Sequence, residues 1–367
     1  MTKVFIPTML GDSDSLFVLQ ALEDRNVDVF RWIGDEFPKK HTSSFSVSDR
    51  SAAKSYFLFN KKSVEIDADV VWLRRPRWPK LPDIVDVRDK EIAIRENRAY
   101  IRSLFEAEWE NAVWVNSLDA RRRANSKLLQ LKEAQALNIH IPETLISNNP
   151  SDIRNFINEL GGEAIVKPML GGDWSEDGEI LFSFTAKIAT PQLPNDEMIK
   201  ACPCIYQRKI EKKFEVRVVF FGSYAIAVKL HSQSKAISEL DWRIGDAKDL
   251  KPEEIQIPDN VKEKCILLMR KLGIVHGSFD FAVDSQGCWI FFEVNEAGQF
   301  LWMETHVPHL PVLDAMAQFL INPSIDFKYS PDQFTAKMID ISRRTEFREM
   351  VGIERELVSH NPIIDIF

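Results

Sequence analysis

Apolar runs and amphipathic stretches alternate through the first 115 residues of the chain. Residues 3–7 and 27–32 are predicted to be strands, and the amphipathic stretch 16–22 between them is predicted to be a helix. Further strands are predicted at 68–73 and 112–115, with a long charged helix at 88–110 between them. Strands and helices in this order are typical of an α/β lobe.

The rest of the chain passes from helix–strand alternation to hairpins. A helical segment is predicted at 116–137, and a second helix, which begins near Asn149 and ends at Gly161-Gly162, lies between strands at 144–146 and 164–167. Two hairpins and a helix are predicted after Glu211: strands 214–221 and 224–230, helix 261–272, and strands 278–283 and 289–294. We therefore expect an α/β and α+β protein in four parts. These are an N-terminal α/β lobe (1–115), a central lobe (116–210), a sheet-rich C-terminal lobe (211–325) and an extension (326–367).

Composition excludes several classes of protein. The chain has 367 residues, of which 45% are hydrophobic and 28% charged, so it is neither disordered nor fibrous. Its net charge of −8 argues against nucleic-acid binding by bulk electrostatics. The four cysteines do not form a disulfide framework, the N-terminus does not read as a signal peptide, and no apolar run could span a membrane. We expect a cytoplasmic protein with reduced thiols and with no nucleic-acid or membrane partner.

The strongest chemical signal lies in the last predicted hairpin. Asp280 is on its first strand, and Glu293 and Asn295 stand two residues apart on the second, so they point to the same side. Two carboxylates and an amide oxygen are hard ligands suited to Mg²⁺, and polar groups among neighbouring phenylalanines are costly without a cation. Taken alone, the feature is better explained by solvated carboxylates on an edge hairpin.

Other charged residues form an ordered set before this hairpin. Lys127 lies on a predicted helix, and Lys167 ends a strand before a glycine pair; taken singly, each lysine is better explained as a solvated side chain. Residues 206–210 could be a strand that links two lobes. Glu215 and Arg217 then alternate onto one face of the next strand.

This order of residues resembles the ATP-grasp superfamily, in which two lobes clamp ATP and two Mg²⁺ ions. The resemblance implies that ATP binds between the central and C-terminal lobes. It assigns phosphate contacts to Lys127 and Lys167, the ribose contact to Glu215, and the reacting phosphate to Arg217. By the same resemblance, Gln207, Lys209 and Ile210 form the adenine hinge, and Asp280, Glu293 and Asn295 hold Mg²⁺. Arg208 departs from the pattern, because many of these enzymes carry a glutamate there for the adenine amino group.

Further motifs within residues 1–325 resemble the graspetide (microviridin-type) peptide macrocyclases. They are WLRR at 72–75, WVN at 114–116, KLLQL at 127–131 and IPETLISN at 141–148. The resemblance implies that an Asp or Glu side chain of a ribosomal precursor peptide is phosphorylated by ATP, and that Ser, Thr or Lys then closes an ester or amide ring. It implies a peptide partner with leader and core segments, and we also expect a homodimer. A carboxylate–amine ligase that acts on a protein tail or a small metabolite stays the alternative.

Residues on the acceptor side are predicted less directly. His231 and Asp241 are candidate bases for the acceptor nucleophile, and Arg243 could grip a substrate carboxylate. Taken alone, His231 is better explained as a structural hydrogen-bonding residue. The segment 171–194, with Trp174, Phe182 and Phe184, is predicted to form part of a leader groove, with an ATP-covering loop as the alternative. Arg74, Arg75 and Arg77 are expected at an interlobe or peptide-contact surface.

Overall fold

The structure, a computed structural model, describes residues 2–59, 62–77, 79–170, 173–176, 179–182, 185–234, 240, 242, 247–333 and 335–359. These residues form two compact units. The first is built from the described residues within Met1–Ala120 and Pro311–Ile366, and the second from those within Arg121–Leu310. The finer division into four parts stays a prediction.

The first unit contains the predicted N-terminal α/β arrangement. Its elements in chain order are β1 (Lys3–Thr8), α1 (Ser13–Glu23), β2 (Asp28–Ile33), β3 (His41–Ser48), β4 (Ser51–Phe59), β5 (Lys62–Val64), β6 (Val70–Trp72), α2 (Lys90–Ala107) and β7 (Val113–Val115). The parallel sheet has the strand order β2-β1-β6-β7. A second, antiparallel sheet of β3, β4 and β5 was not predicted, because most of its side chains are exposed and leave a weak apolar pattern.

The second unit is dominated by antiparallel sheets, as its hairpin signals predict. Its elements, after α3 (Leu118–Ala124) at the boundary, are α4 (Lys127–Ala136), β8 (Thr144–Ser147), α5 (Pro150–Glu159), β9 (Glu163–Pro168), β10 (Asp173–Glu176), β11 (Glu179–Phe182), β12 (Ala186–Ala189), α6 (Asp196–Ala201), β13 (Cys204–Gln207), β14 (Lys212–Phe221), β15 (Tyr224–Leu230), β16 (Glu253–Glu254), α7 (Asp259–Leu272), β17 (His276–Asp284), β18 (Trp289–Asn295) and α8 (Trp302–His306). The two larger sheets have the orders β12-β9-β13-β8 and β16-β15-β14-β17-β18. The strands β10 and β11 pair only with each other among the described residues.

The single helix predicted at 116–137 is wrong. The segment forms two helices, α3 and α4, because Ser126 has an extended backbone with φ −81° and ψ 100°. Its side chain accepts a hydrogen bond from the backbone N–H of Leu129, which caps the new helix. The interruption makes Lys127 the first residue of α4.

The C-terminal segment adds three helices to the first unit: α9 (Val312–Ile321), α10 (Met338–Ser342) and α11 (Thr345–Ser359). On α11, Phe347 packs 4.4 Å from Phe17 between ring centroids, and Glu354 binds the guanidinium of Arg31. The backbone N–H of Gly11 donates a 2.9 Å hydrogen bond to the same carboxylate. These contacts fix the extension, for which no structure was predicted.

Arg74 is a buried structural residue of the first unit, not the surface residue that was expected. It is fully buried, and its guanidinium lies 3.0 Å from Asp14 and 3.4 Å from Asp12. Because a buried charge must be paired, both carboxylates are needed to keep this arginine inside the unit.

Each unit has its own apolar core. In the first, Phe5, Trp32 and Phe105 pack between the sheet and α2. In the second, Phe279, Phe281 and Phe291 stack across the five-stranded sheet. None of the helices in the described ranges is long and apolar enough to cross a membrane.

Candidate functional site

Three neighbouring strands place the predicted metal ligands side by side. Arg217 on β14 pairs with Asp280 on β17, and Asp280 pairs with Glu293 on β18. Directly opposed residues in antiparallel strands point to the same face. The expectation that the last hairpin brings Asp280 beside Glu293 is therefore confirmed.

A β-bulge in β18 gives this face one more side chain. The register changes between the pairs Asp280–Glu293 and Phe281–Phe291, which leaves Phe292 as the extra residue. A bulge suspends the alternation of side chains locally, so Phe292 and Glu293 both line the cleft described below. The ammonium of Lys167 lies 4.7 Å from the centroid of the Phe292 ring and forms a cation–π contact with it.

The two carboxylates are held by an arginine and an amide. Arg217 Nη1 donates to both carboxylate oxygens of Asp280 at 3.0 and 2.8 Å, and its Nη2 donates to the Gln299 carbonyl at 3.0 Å. Asn295 Nδ2 lies 3.1 Å from Glu293 Oε1 and 3.4 Å from Asp280 Oδ2. Asp280, Glu293 and Asn295 thus converge on one point, as was expected for the last hairpin.

The helix α4 reaches the same point from the other side. The Lys127 ammonium forms an ion pair with Glu293, and both side chains are largely covered, at 24% and 21% exposed. One turn later, the buried Gln130 amide binds both backbone groups of Val294, each at 2.9 Å. Sequence reasoning quoted Gln130 within a motif but gave it no role.

Five of the six predicted nucleotide residues line one cleft, which encloses about 750 Å³ including its open mouth. Its lining includes Lys167, Gln207, Lys209, Ile210, Glu215, Asp280 and Glu293. Lys127 and Asn295 are connected to it through Glu293. Arg208, the residue that departs from the family pattern, also lines the cleft and donates to the Glu143 carboxylate at 2.8 and 3.1 Å.

Glu215 is buried in this cleft beside a lysine that the sequence did not single out. A register shift around Lys213 turns Lys212 towards Glu215, and its ammonium lies 2.7 Å from the carboxylate. Burial raises the pKa of the Glu215 carboxyl, whereas the Lys212 charge and a hydrogen bond from Ser232 oppose the rise. Lys212 also donates to the Leu240 carbonyl at 3.3 Å.

His231 does not join the cleft. Its Nε2 atom and the Lys229 ammonium both bind Glu253 Oε1, at 2.7 and 2.6 Å. Lys229 packs on Phe214, which alternates with Glu215 along β14, so this group lies on the opposite face of the sheet. That position does not support His231 as a base, although its role stays a prediction.

The other acceptor-side predictions lie outside the described part of the chain. Asp241 and Arg243 are not among the described residues, and the same holds for Phe184 and for the side chains of Trp174 and Phe182. Their predicted roles stay predictions. Trp242, between the two acceptor-side residues, does line the cleft, and its ring lies 5.3 Å from that of Trp302.

The donor set fits Mg²⁺ bound together with phosphate. Asp280 and Glu293 are carboxylates, and rotation of the Asn295 amide would turn its oxygen to the same point. Across the described ranges, no group of three or more His, Cys, Asp or Glu side chains is placed to hold a metal ion. Mg²⁺ commonly takes only one or two carboxylates from a protein and completes its shell with substrate phosphates and water.

Comparisons with known proteins agree with this arrangement. Residues 3–122 match the family model of the MvdD pre-ATP grasp domain. A comparison with curated protein sequences gives no match.

Several solved structures are similar over most of the chain. One is a RiPP-associated ATP-grasp ligase from Chryseobacterium gregarium in complex with ADP and a leader and core peptide. It is 26% identical to this chain with a TM-score of 0.81, and the match covers 90% of this chain and 100% of the ligase. Macrocyclase MdnC from Microcystis aeruginosa, bound with precursor peptide MdnA, is 25% identical with a TM-score of 0.76, over 88% and 100% of the two chains. Macrocyclase MdnB from the same organism is also 25% identical, with a TM-score of 0.73 over the same shares. The protein therefore has the mixed α/β fold of the ATP-grasp ligases and is similar to those of ribosomal peptide biosynthesis.

Proposed function

We propose that this protein is an ATP-dependent ligase that forms side-chain rings in a ribosomal precursor peptide. The observation that carries the proposal is a cleft lined by Lys167, Asp280 and Glu293. Lys127, Arg217 and Asn295 contact these two carboxylates. The proposal's support from relatives is the similarity to ligases whose structures contain ADP or precursor peptides.

The reaction that suits this cleft begins with a carboxylate. A side-chain carboxylate of the peptide attacks the γ-phosphorus of ATP, so that an acyl phosphate forms and ADP leaves. A hydroxyl or amine of the same peptide then attacks the acyl carbon, the C–O bond to phosphate breaks, and the nucleophile loses its proton. Loss of phosphate leaves an ester or an amide ring.

The residues of the cleft are proposed to position the nucleotide and to stabilise the negative charge of its phosphates. Lys127 and Lys167 contact the phosphates, and Arg217 faces the phosphate that is transferred. Gln207, Lys209 and Ile210 hold the adenine, and Glu215 accepts the ribose hydroxyls. Fixed cations aimed at phosphate oxygens stabilise the charge that develops during transfer, with about 3 kcal/mol for one well-placed contact.

Asp280, Glu293 and Asn295 would hold Mg²⁺, which would neutralise phosphate charge; two ions are proposed by resemblance to the superfamily. The side chains of Asp280 and Glu293 are only 13% and 21% exposed, which limits competition from water. The base that takes the proton from the nucleophile is not assigned to a described residue.

Reconstitution tests the proposal directly. The purified protein, ATP and Mg²⁺ are mixed with peptides encoded near its gene, and products are measured by mass spectrometry. The expected result is the loss of one water per ring, with one ADP released for each. ADP release coupled to the addition of an amino acid or a metabolite, without ring formation, would instead support the carboxylate–amine ligase. A homodimer and a cytoplasmic location stay predictions.

A further inference from the structure

The strand β18 is an edge strand that carries two of the three proposed metal ligands. Among the described residues, no further strand of the five-stranded sheet lies beyond it, so its outer backbone groups need other partners. The N–H of Phe291 donates to the His140 carbonyl at 2.8 Å. The next residue whose backbone groups point away from the sheet is Val294, and the side chain of Gln130 binds them.

Gln130 binds Val294 as a neighbouring strand would. Its Oε1 accepts from the Val294 N–H and its Nε2 donates to the Val294 carbonyl, each at 2.9 Å. A second hydrogen bond from Nε2 to the Ala124 carbonyl fixes the amide against the end of α3. Gln130 is 2% exposed and Val294 is 1% exposed, so water cannot replace these bonds.

The contact between Gln130 and Val294 affects the proposed metal ligands because of where Val294 stands in the strand. Val294 is the residue between Glu293 and Asn295, and its own side chain points into the core. A fixed Val294 backbone therefore sets the direction of both flanking side chains. Gln130 also stands one helical turn after Lys127, which pairs with Glu293, so a single helix presents both contacts to β18.

We propose that Gln130 is a positioning residue that fixes β18, and with it the metal ligands, against α4. The inference rests on the proposed function, because it assumes that Glu293 and Asn295 bind a metal ion. Supporting residues that orient metal ligands change metal affinity by about 10- to 100-fold when they are replaced.

The test compares Gln130→Met with Gln135→Met, which changes an exposed glutamine on the same helix. Mn²⁺ binding is measured by calorimetry in the presence of ADP, ADP binding is measured without metal, and exchange of the Val294 amide hydrogen is followed by NMR. We expect Gln130→Met to weaken Mn²⁺ binding about 10- to 100-fold, to speed exchange at Val294, and to leave metal-free ADP binding within about twofold. Gln135→Met should match the wild type.

Wild-type Mn²⁺ affinity and wild-type exchange in Gln130→Met would overturn the proposal. Equal losses of Mn²⁺ and metal-free ADP binding would also overturn it, because they would indicate general damage to the unit. If Gln130→Met does not fold, Gln130→Asn decides, since it keeps the amide but falls one methylene short of Val294. If the wild type itself binds no Mn²⁺, the proposed metal site fails, while the exchange measurement still tests the contact between Gln130 and β18.

Discussion

Replacing Lys127 by methionine should change metal and nucleotide binding in opposite directions. In the structure, its ammonium pairs with Glu293, a proposed metal ligand. A metal ion that binds alone must compete with this lysine for the carboxylate. A nucleotide that binds alone must compete with the carboxylate for the lysine. Lys127→Met removes the first competition and one proposed phosphate contact together.

The size of both effects follows from the environment of the pair. Charge-assisted hydrogen bonds contribute about 1.5–3 kcal/mol when they are protected from water. The two side chains are 24% and 21% exposed, so partial solvent screening favours the lower end of that range. About 1.5 kcal/mol corresponds to about a tenfold change in each affinity.

The assay is calorimetry of Mn²⁺ without nucleotide and of a non-hydrolysable ATP analogue without metal. For Lys127→Met, we expect Mn²⁺ to bind about tenfold more tightly and the analogue about tenfold more weakly. Lys132→Met, on the exposed side of the same helix, is the matched control and should change neither affinity. Weaker Mn²⁺ binding in Lys127→Met would refute the reasoning, because it would mean that the lysine supports the metal site instead of competing with it.

Three further substitutions test other parts of the chain. Lys212→Met should weaken binding of the ATP analogue about tenfold, as measured by calorimetry, with the exposed neighbour Lys213→Met as the control. The loss should be larger at mildly acid pH, because burial already raises the pKa of its partner Glu215. Gly298→Ala would place a Cβ 2.7 Å from Nη2 of Arg217, displace that guanidinium, and lower the rate of ADP release at least about tenfold. Gly352→Ala, whose Cβ would have nothing within 4 Å, should leave the rate unchanged. Burial lowers the pKa of His41 from 6.5 to about 4, so its contribution to stability is fully present above pH 6.5 and is lost as the pH falls towards 4. Urea unfolding across that window should show a loss of at most about 3 kcal/mol that is absent in His41→Phe; an equal loss in both proteins would contradict this assignment.

Alternation along a strand explains why two of the proposed metal ligands could be placed on one face from the sequence. Glu293 and Asn295 stand two residues apart on one strand, so their shared face follows from a period of two. Asp280 joins them only because the bulge at Phe292 shifts the register, since a regular hairpin would pair Asp280 with Phe292.

The remaining parts of the site depend on pairing between distant segments. The bulges at Lys213 and Phe292 arise from a mismatch of register with β17, and neither strand carries a glycine or proline there to indicate it. Gln130 looks like any polar residue of an amphipathic helix until Val294 lies against it. The acidic residue that fixes the C-terminal helix, Glu354, has its partner more than 300 positions away, so no local pattern could reveal it.

The carboxylates that line the cleft are paired with cations within the chain before any ligand binds. The pairs are Lys127 with Glu293, Arg217 with Asp280, and Lys212 with Glu215. Each partner is largely shielded from water, and an unpaired charge at such a place would be strongly destabilising. A nucleotide without metal would compete with the carboxylates for the paired cations, and a metal ion alone would compete with the cations for the carboxylates. Mg²⁺ and the phosphates together bring opposite charges, so they can exchange partners with the existing pairs without leaving a buried charge uncompensated. The pairing in the structure therefore favours binding of Mg²⁺ and the nucleotide together.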